Sequence, residues 1–135
     1  MKKILVMEDE PNVRALLDLY LRYQGYEVIL ADNGWKGLHL YHQELPDVIF
    51  LNLKMPGVDG LTVLKYIRSF DVNQPVIIYT GDTNPETERE VRAMGITEFI
   101  LKNSPLSFLT DVLQRLFKTP ASGTAPGLLL RRPAA

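Results

Sequence analysis

Apolar and polar positions follow two rhythms along this chain: short unbroken apolar runs, and longer stripes that recur at helical spacing. Residues 3–7 (KILVM) form the first run, bounded by lysine before it and by Glu8, Asp9 and Glu10 after it, which fits a buried strand emerging at an acidic edge. Pro11 opens a helix on which Val13, Leu16, Leu17, Tyr20 and Leu21 share one face, and Gly25 stands where a left-handed residue would end it. Residues 27–30 give a second strand. Asn33 and Gly34 break the chain, and Trp35, Leu38 and Tyr41 stripe a second helix that Pro46 closes. The run VIFL at 48–51 has no polar face, so it reads as a central strand covered on both sides; it ends on Asn52 and turns through Met55, Pro56 and Gly57 to Gly60. Leu61, Leu64 and Ile67 mark a third helix. Residues 76–79 make a fourth strand ending on Thr80, Gly81 and Asp82, and Pro85 suits the first turn of a mostly charged helix that Gly95 stops. Residues 98–101 are a fifth strand ending on Lys102, and Leu106, Leu109, Val112, Leu113 and Leu116 stripe a last helix.

Five strand–helix alternations with short connections predict an α/β fold: a doubly wound parallel sheet with helices on both faces, joined by right-handed crossovers. One domain is expected over residues 1–118. Residues 119–135 shift to a Pro/Gly/Ala-rich composition and read as a linker or tail. A chain of 135 residues with 46% hydrophobic residues can build a core without staples. No run approaches the ~18 apolar residues of a membrane span, and the start turns acidic too soon for a secretory signal, so the expected location is the cytoplasm. The absence of cysteine removes thiol catalysis and disulfides, and a net charge of −1 predicts no direct nucleic-acid or membrane binding.

The candidate chemistry lies where the strands end. Glu8 and Asp9 follow the first strand, Asn52 the third, Thr80 the fourth and Lys102 the fifth. In a parallel sheet these ends share one edge, so residues scattered over the chain converge on one cleft. Paired carboxylates suit Mg2+, while a hydroxyl and an ammonium can hold phosphoryl oxygens.

With Glu8 and Asp9 as an acidic pair, LNLKMPGVDG at 51–60, Thr80 with Gly81, Phe99 and Lys102 in this order on five strand–helix units, the chain resembles the receiver domain of two-component response regulators. The resemblance covers residues 2–117. It implies a flavodoxin-like three-layer sandwich, a five-stranded sheet of order 2-1-3-4-5 flanked by five helices. It also implies Mg2+ at Glu8, Asp9, position 52 and the backbone carbonyl of Lys54, with an aspartate at 52 accepting a phosphoryl group from a histidine kinase or phosphotransfer protein. Thr80 and Lys102 would then contact the phosphoryl oxygens, and Phe99 would repack as the switch. The fourth helix, fifth strand and fifth helix would form the partner face, with a homodimer through it as the self-association implied.

The chain departs from that pattern in three places. Asn52 lacks the anionic oxygen that attacks phosphorus and the charge that completes a metal site, so it should form no acyl phosphate, hold Mg2+ only weakly and have no independent catalytic activity. Lys102-Asn103 replaces a usual Lys-Pro, which predicts a trans bond or a strained one. The Lys54 ammonium, two residues beyond Asn52, is expected to reach the acidic pair and offset its repulsion.

Blander readings compete. Glu8 and Asp9 would suit a solvated turn before the Pro11 helix, where negative charge is favourable. Phe99 is equally a core aromatic; Trp35, Tyr41 and the leucine stripes read as core, and His39 and His42 as surface residues without partner ligands. Asn52 is either a change that holds a receiver unphosphorylated, engineered or natural, or the native residue of a phosphorylation-independent interaction module, or an ordinary polar strand end. A Mg2+-dependent phosphohydrolase using Asp9 would need a carboxylate where Pro11 stands, and MEDEPN would repel the phosphate that a glycine-rich nucleotide loop cradles.

Overall fold

The computed structural model describes residues 1–118; the expected tail at 119–135 lies outside them. The chain divides into two compact units, Met1–Asn103 and a second that begins at Ser104. The first holds β1 (Lys3–Met7), α1 (Pro11–Tyr23), β2 (Glu27–Ala31), α2 (Gly34–Glu44), β3 (Val48–Leu51), α3 (Gly60–Phe70), β4 (Val76–Thr80), α4 (Pro85–Ala93) and β5 (Glu98–Leu101). The second holds α5 (Leu106–Phe117), whose buried residues are Leu109, Val112 and Leu113.

The sheet is parallel throughout, in the order β2-β1-β3-β4-β5. Its registers align the strand ends: Met7 lies beside both Ala31 and Leu51, and Thr80 beside Leu101. Backbone bonds carry the alignment one residue further, from Asn52 N to Met7 O (3.1 Å) and from Lys102 N to Thr80 O (2.9 Å). Residues of both strand parities are buried. Leu5, Met7, Ile49, Leu51, Val76 and Ile78 join the α2 and α3 side chains in one core cluster, while Ile4, Val6, Val48, Phe50 and Ile77 are equally buried outside it, as are Leu17 and Leu21 of α1. Both faces of the sheet are therefore covered, which is why the strands read as continuous apolar runs.

Side-chain caps start three helices. Asn33, Asp59 and Asn84 accept hydrogen bonds from the backbone N–H of Lys36, Thr62 and Glu86, each satisfying a donor that the helix leaves unpaired. Pro11 and Pro85 occupy first-turn positions, and Gly25 (φ 97°) and Gly95 (φ 89°) take the left-handed conformation beyond α1 and α4.

Two stripe residues face differently from expectation. Trp35 is 69% exposed, because the buried face of α2 is Gly34, Gly37, Leu38 and Tyr41. A Cβ on Gly37 would collide with the Met7 side chain, and one on Gly34 with Val58, so the two glycines let α2 sit close and turn the indole aside. Leu16 is 44% exposed, since the buried centre of α1 is Leu17 and Leu21. Ala93 is exposed as well, leaving Val91 as the buried residue of α4 and Met94 half-buried against the core.

Candidate functional site

Asn52 is the residue immediately after β3, and its backbone N–H is already committed to Met7. The following turn brings α3 hard against this point: Gly60 N donates to Leu53 O (2.8 Å), and a Cβ on Gly60 would run into the Asn52 carbonyl and the Leu53 Cα. The Asn52 backbone is thus held on both sides, and the residue is 4% exposed. Its Nδ2 donates to Glu8 Oε2 (3.2 Å), Asp9 Oδ1 (3.0 Å) and the backbone carbonyl of Lys54 (3.0 Å). An amide has two hydrogens for these three oxygens, so one hydrogen is shared.

Glu8 is the buried member of the acidic pair, 1% exposed. Its Oε2 also accepts from Glu10 N (3.1 Å) and from the Lys102 ammonium (3.1 Å), which in turn donates to Glu10 Oε1 (2.7 Å). Burial pushes the Glu8 carboxyl above its ordinary range, against the pull of the Glu10 N–H and of Lys102. Burial alone would lower Lys102, but the Glu10 and Glu8 carboxylates outweigh it and hold its ammonium above the usual lysine range. Arg14 pins the loop from α1, donating to the carbonyls of Glu8 (3.0 Å) and Asp9 (3.2 Å). Glu8 and Asp9 therefore do not cap α1: its first flanking residue is Glu10, and no side chain caps it.

Thr80 is fully buried, its Oγ1 accepting from Asp82 N (3.2 Å), and the Tyr79 hydroxyl lies 3.5 Å from the carbonyl of Lys102. Asp9, Glu10, Asn52, Thr80, Gly81 and Lys102, with Lys54 and Asp82, line one cavity of about 300 Å³. The expected convergence of strand ends is thus present. Lys54 does not do what its spacing suggested: its Nζ lies 4.0 Å from Asp82 Oδ2, on the outer side of the cavity, and Lys102 takes the place at the acidic pair. The Lys102-Asn103 bond is trans, as are all peptide bonds among the described residues. Phe99 lies in the core cluster beside Ile78, and His42 meets the Tyr66 hydroxyl at 3.1 Å, so it has an aromatic partner that its sequence position did not suggest.

Residues 4–114 match the family model of the response regulator receiver domain. The chain belongs to that family. This receiver is 36% identical over 113 residues to the regulatory protein AtoC of Escherichia coli, covering 84% of the chain but 24% of AtoC. It is 30% identical over 114 residues to sporulation initiation phosphotransferase F of Bacillus subtilis, covering 84% of the chain and 92% of that protein. It is also 35% identical over 104 residues to the sensor kinase/phosphatase CqsS of Vibrio cholerae, covering 75% of the chain and 15% of CqsS. The receiver thus spans about a quarter of AtoC and less of CqsS. Among solved structures, the chemotaxis protein CheY4 of Vibrio cholerae superposes with a TM-score of 0.80 at 30% identity, over 87% of this chain and 99% of that one. The response regulator TrrA of Thermotoga maritima, solved in complex with Mg2+ and BeF, gives 0.79 at 31% identity over 87% and 100%.

Two carboxylates and a carbonyl converging on one point form the donor set of a hard cation. Here the point is taken by Asn52 Nδ2, and no cluster of three carboxylate, histidine or cysteine side chains able to hold a metal occurs among the described residues. The residues present do not fit Mg2+ as the family pattern would place it. No helix among the described residues is long and apolar enough to cross a membrane. Glu10, Asp82 and Arg14 complete the site beyond the residues singled out from the sequence; their signal was charge of the right sign within three residues of a strand end or one helical turn into α1.

Proposed function

We propose that this chain is a receiver that engages its signalling partners without a phosphorylated state. The observation behind this reading is the Asn52 side chain, a neutral carboxamide whose nitrogen faces Glu8, Asp9 and the Lys54 carbonyl. A neutral amide has no anionic oxygen to attack phosphorus, and its nitrogen lone pair is delocalised into the carbonyl. Thr80 and Lys102 are the groups that would meet phosphoryl oxygens if position 52 were aspartate, with Phe99 as the residue that repacks. In the chain as it stands the pocket holds Mg2+ at most weakly, since a neutral amide stands where the pattern has an anionic ligand. The partner class is a histidine kinase or a phosphotransfer protein, in keeping with the relatives that carry such activities in their names.

The test is incubation with acetyl phosphate and Mg2+, read by intact mass. No phosphoryl gain is expected, whereas Asn52→Asp gains one; a phosphoryl group mapped to Asn52 would overturn the reading. Two forms of it remain separable: a receiver merely held off, and an interaction module. No buried side-chain nitrogen or oxygen among the described residues lacks a hydrogen-bond partner, which is compatible with both forms. A module binds its partner equally as Asn52 and as Asn52→Asp without phosphate; a held-off receiver changes affinity only when the aspartate form is phosphorylated.

A further inference from the structure

We infer that the Asn52 carboxamide is a built-in replacement for a divalent cation, which makes the acidic pocket of this chain independent of metal. Glu8 Oε2, Asp9 Oδ1 and the Lys54 carbonyl all lie within 3.2 Å of a single atom, Nδ2. Such a convergence of hard oxygens is unfavourable unless positive charge stands at its centre. The two amide hydrogens carry partial positive charge to that place. Being part of the chain, they arrive without the entropy loss of binding an ion.

The outer side of the pocket opposes displacement of the amide. Turning Nδ2 away from the carboxylates would point a donor into the cavity lined by Lys54 and Lys102. The carboxylates there are already engaged, Glu10 by Lys102 at 2.7 Å and Asp82 by Lys54 at 4.0 Å. A flipped amide would turn its own Oδ1 onto the Glu8 and Asp9 carboxylates and the Lys54 carbonyl, and the acidic pair would lose its hydrogens at the same time. Gly60 and the covalent link to β3 leave the side chain no room to retreat by moving the backbone. An incoming cation therefore has to break a satisfied network rather than fill an open site.

The inference concerns the same pocket as the proposed function, but its test involves no phosphate, so the two fail separately. Thermal unfolding and two-dimensional NMR are followed while MgCl2 is added at millimolar concentration and constant ionic strength. The Asn52 chain is expected to keep its Tm within about 1 °C and to show no shift of the Asn52 side-chain NH2 resonances or of the Glu8, Asp9 and Lys54 amides. Asn52→Asp is expected to gain about 5 °C at ten times its dissociation constant. Asn52→Ala removes the donors without adding charge and is expected to gain a smaller but measurable rise. Movement of the Asn52 NH2 pair with Mg2+, or stabilisation of the Asn52 chain equal to that of the aspartate variant, would overturn the inference. So would an alanine variant as unresponsive as the Asn52 chain, because the added charge alone would then account for the aspartate result.

Discussion

Lys102→Met removes the cation beside a carboxylate that is 1% exposed, while keeping an apolar stem of similar length. Stripping one partner from a fully buried ion pair costs about 3–5 kcal/mol. Two donors, Glu10 N at 3.1 Å and Asn52 Nδ2 at 3.2 Å, remain on the same Glu8 oxygen, and the Lys102 side chain is 19% exposed. The loss near neutral pH is therefore expected at about 2–3 kcal/mol, with little from the solvent-facing Glu10 contact. In urea this lowers the unfolding midpoint by about 2 M for a slope near ~1.2 kcal/mol/M. The loss should also depend on pH. Burial already raises Glu8, and removing Lys102 raises it further, so the folded variant binds a proton more readily than the unfolded chain. For an acid raised in the folded state, stability falls as pH rises from the unfolded value towards the folded one, and recovers as pH drops back. The penalty of Lys102→Met should therefore shrink as pH falls from neutrality towards the ordinary glutamate range, because Glu8 takes up its proton on the way. A penalty of the same size at both ends, or none at neutral pH, would refute the assignment of Lys102 as the counter-charge of Glu8.

Two further variants test how the site is held. Gly60→Ala places a methyl against the Asn52 carbonyl and the Leu53 Cα, backbone atoms that cannot swing aside, and is expected to cost about 1–3 kcal/mol by urea unfolding; an unchanged midpoint would mean the turn is looser than its contacts imply. Val91→Ala empties the buried contact of α4 and is expected to cost about 1–2 kcal/mol, with hydrogen exchange rising in α4 before the rest of the chain; uniform exchange across the sheet would show that α4 does not open on its own.

Much of this architecture could be read from the sequence because buried parallel strands announce themselves. Ile4 to Met7, Val48 to Leu51 and Val76 to Thr80 need apolar residues on both faces, and their ends, with that of Glu98 to Leu101, place Glu8, Asn52, Thr80 and Lys102 on one edge whatever the details between. The strand order came with the family resemblance, since periodicity does not say which strands are neighbours. Helix faces were harder. The stripe through Trp35, Leu38 and Tyr41 is a sound helical pattern, but the burial of α2 is set by how closely Gly34 and Gly37 let it approach, a property of its neighbours Val58 and Met7. Lys54 and Lys102 were both visible as lysines near the pair; reach along the chain favoured the first, whereas the β4–β5 register delivers the second. That position 52 is an amide was plain. That its nitrogen would be the atom turned inward depended on the carbonyl of Lys54 completing the set of acceptors.

Glu8 and Asn52 are 44 residues apart and Glu8 and Lys102 are 94 apart, so the two contacts of Glu8 close chain loops of very different length. Asn52 reaches Glu8 once β3 lies beside β1, but Lys102 can follow only when β5 has joined β4. Contacts this distant in sequence slow folding, because the chain must be ordered before they form. A chain that has added β4 but not β5 carries an open sheet edge and a desolvated carboxylate lacking its ammonium. The strand that brings the ammonium is itself the outermost of the sheet, so docking β5 removes the electrostatic fault and moves the open edge from β4 to β5.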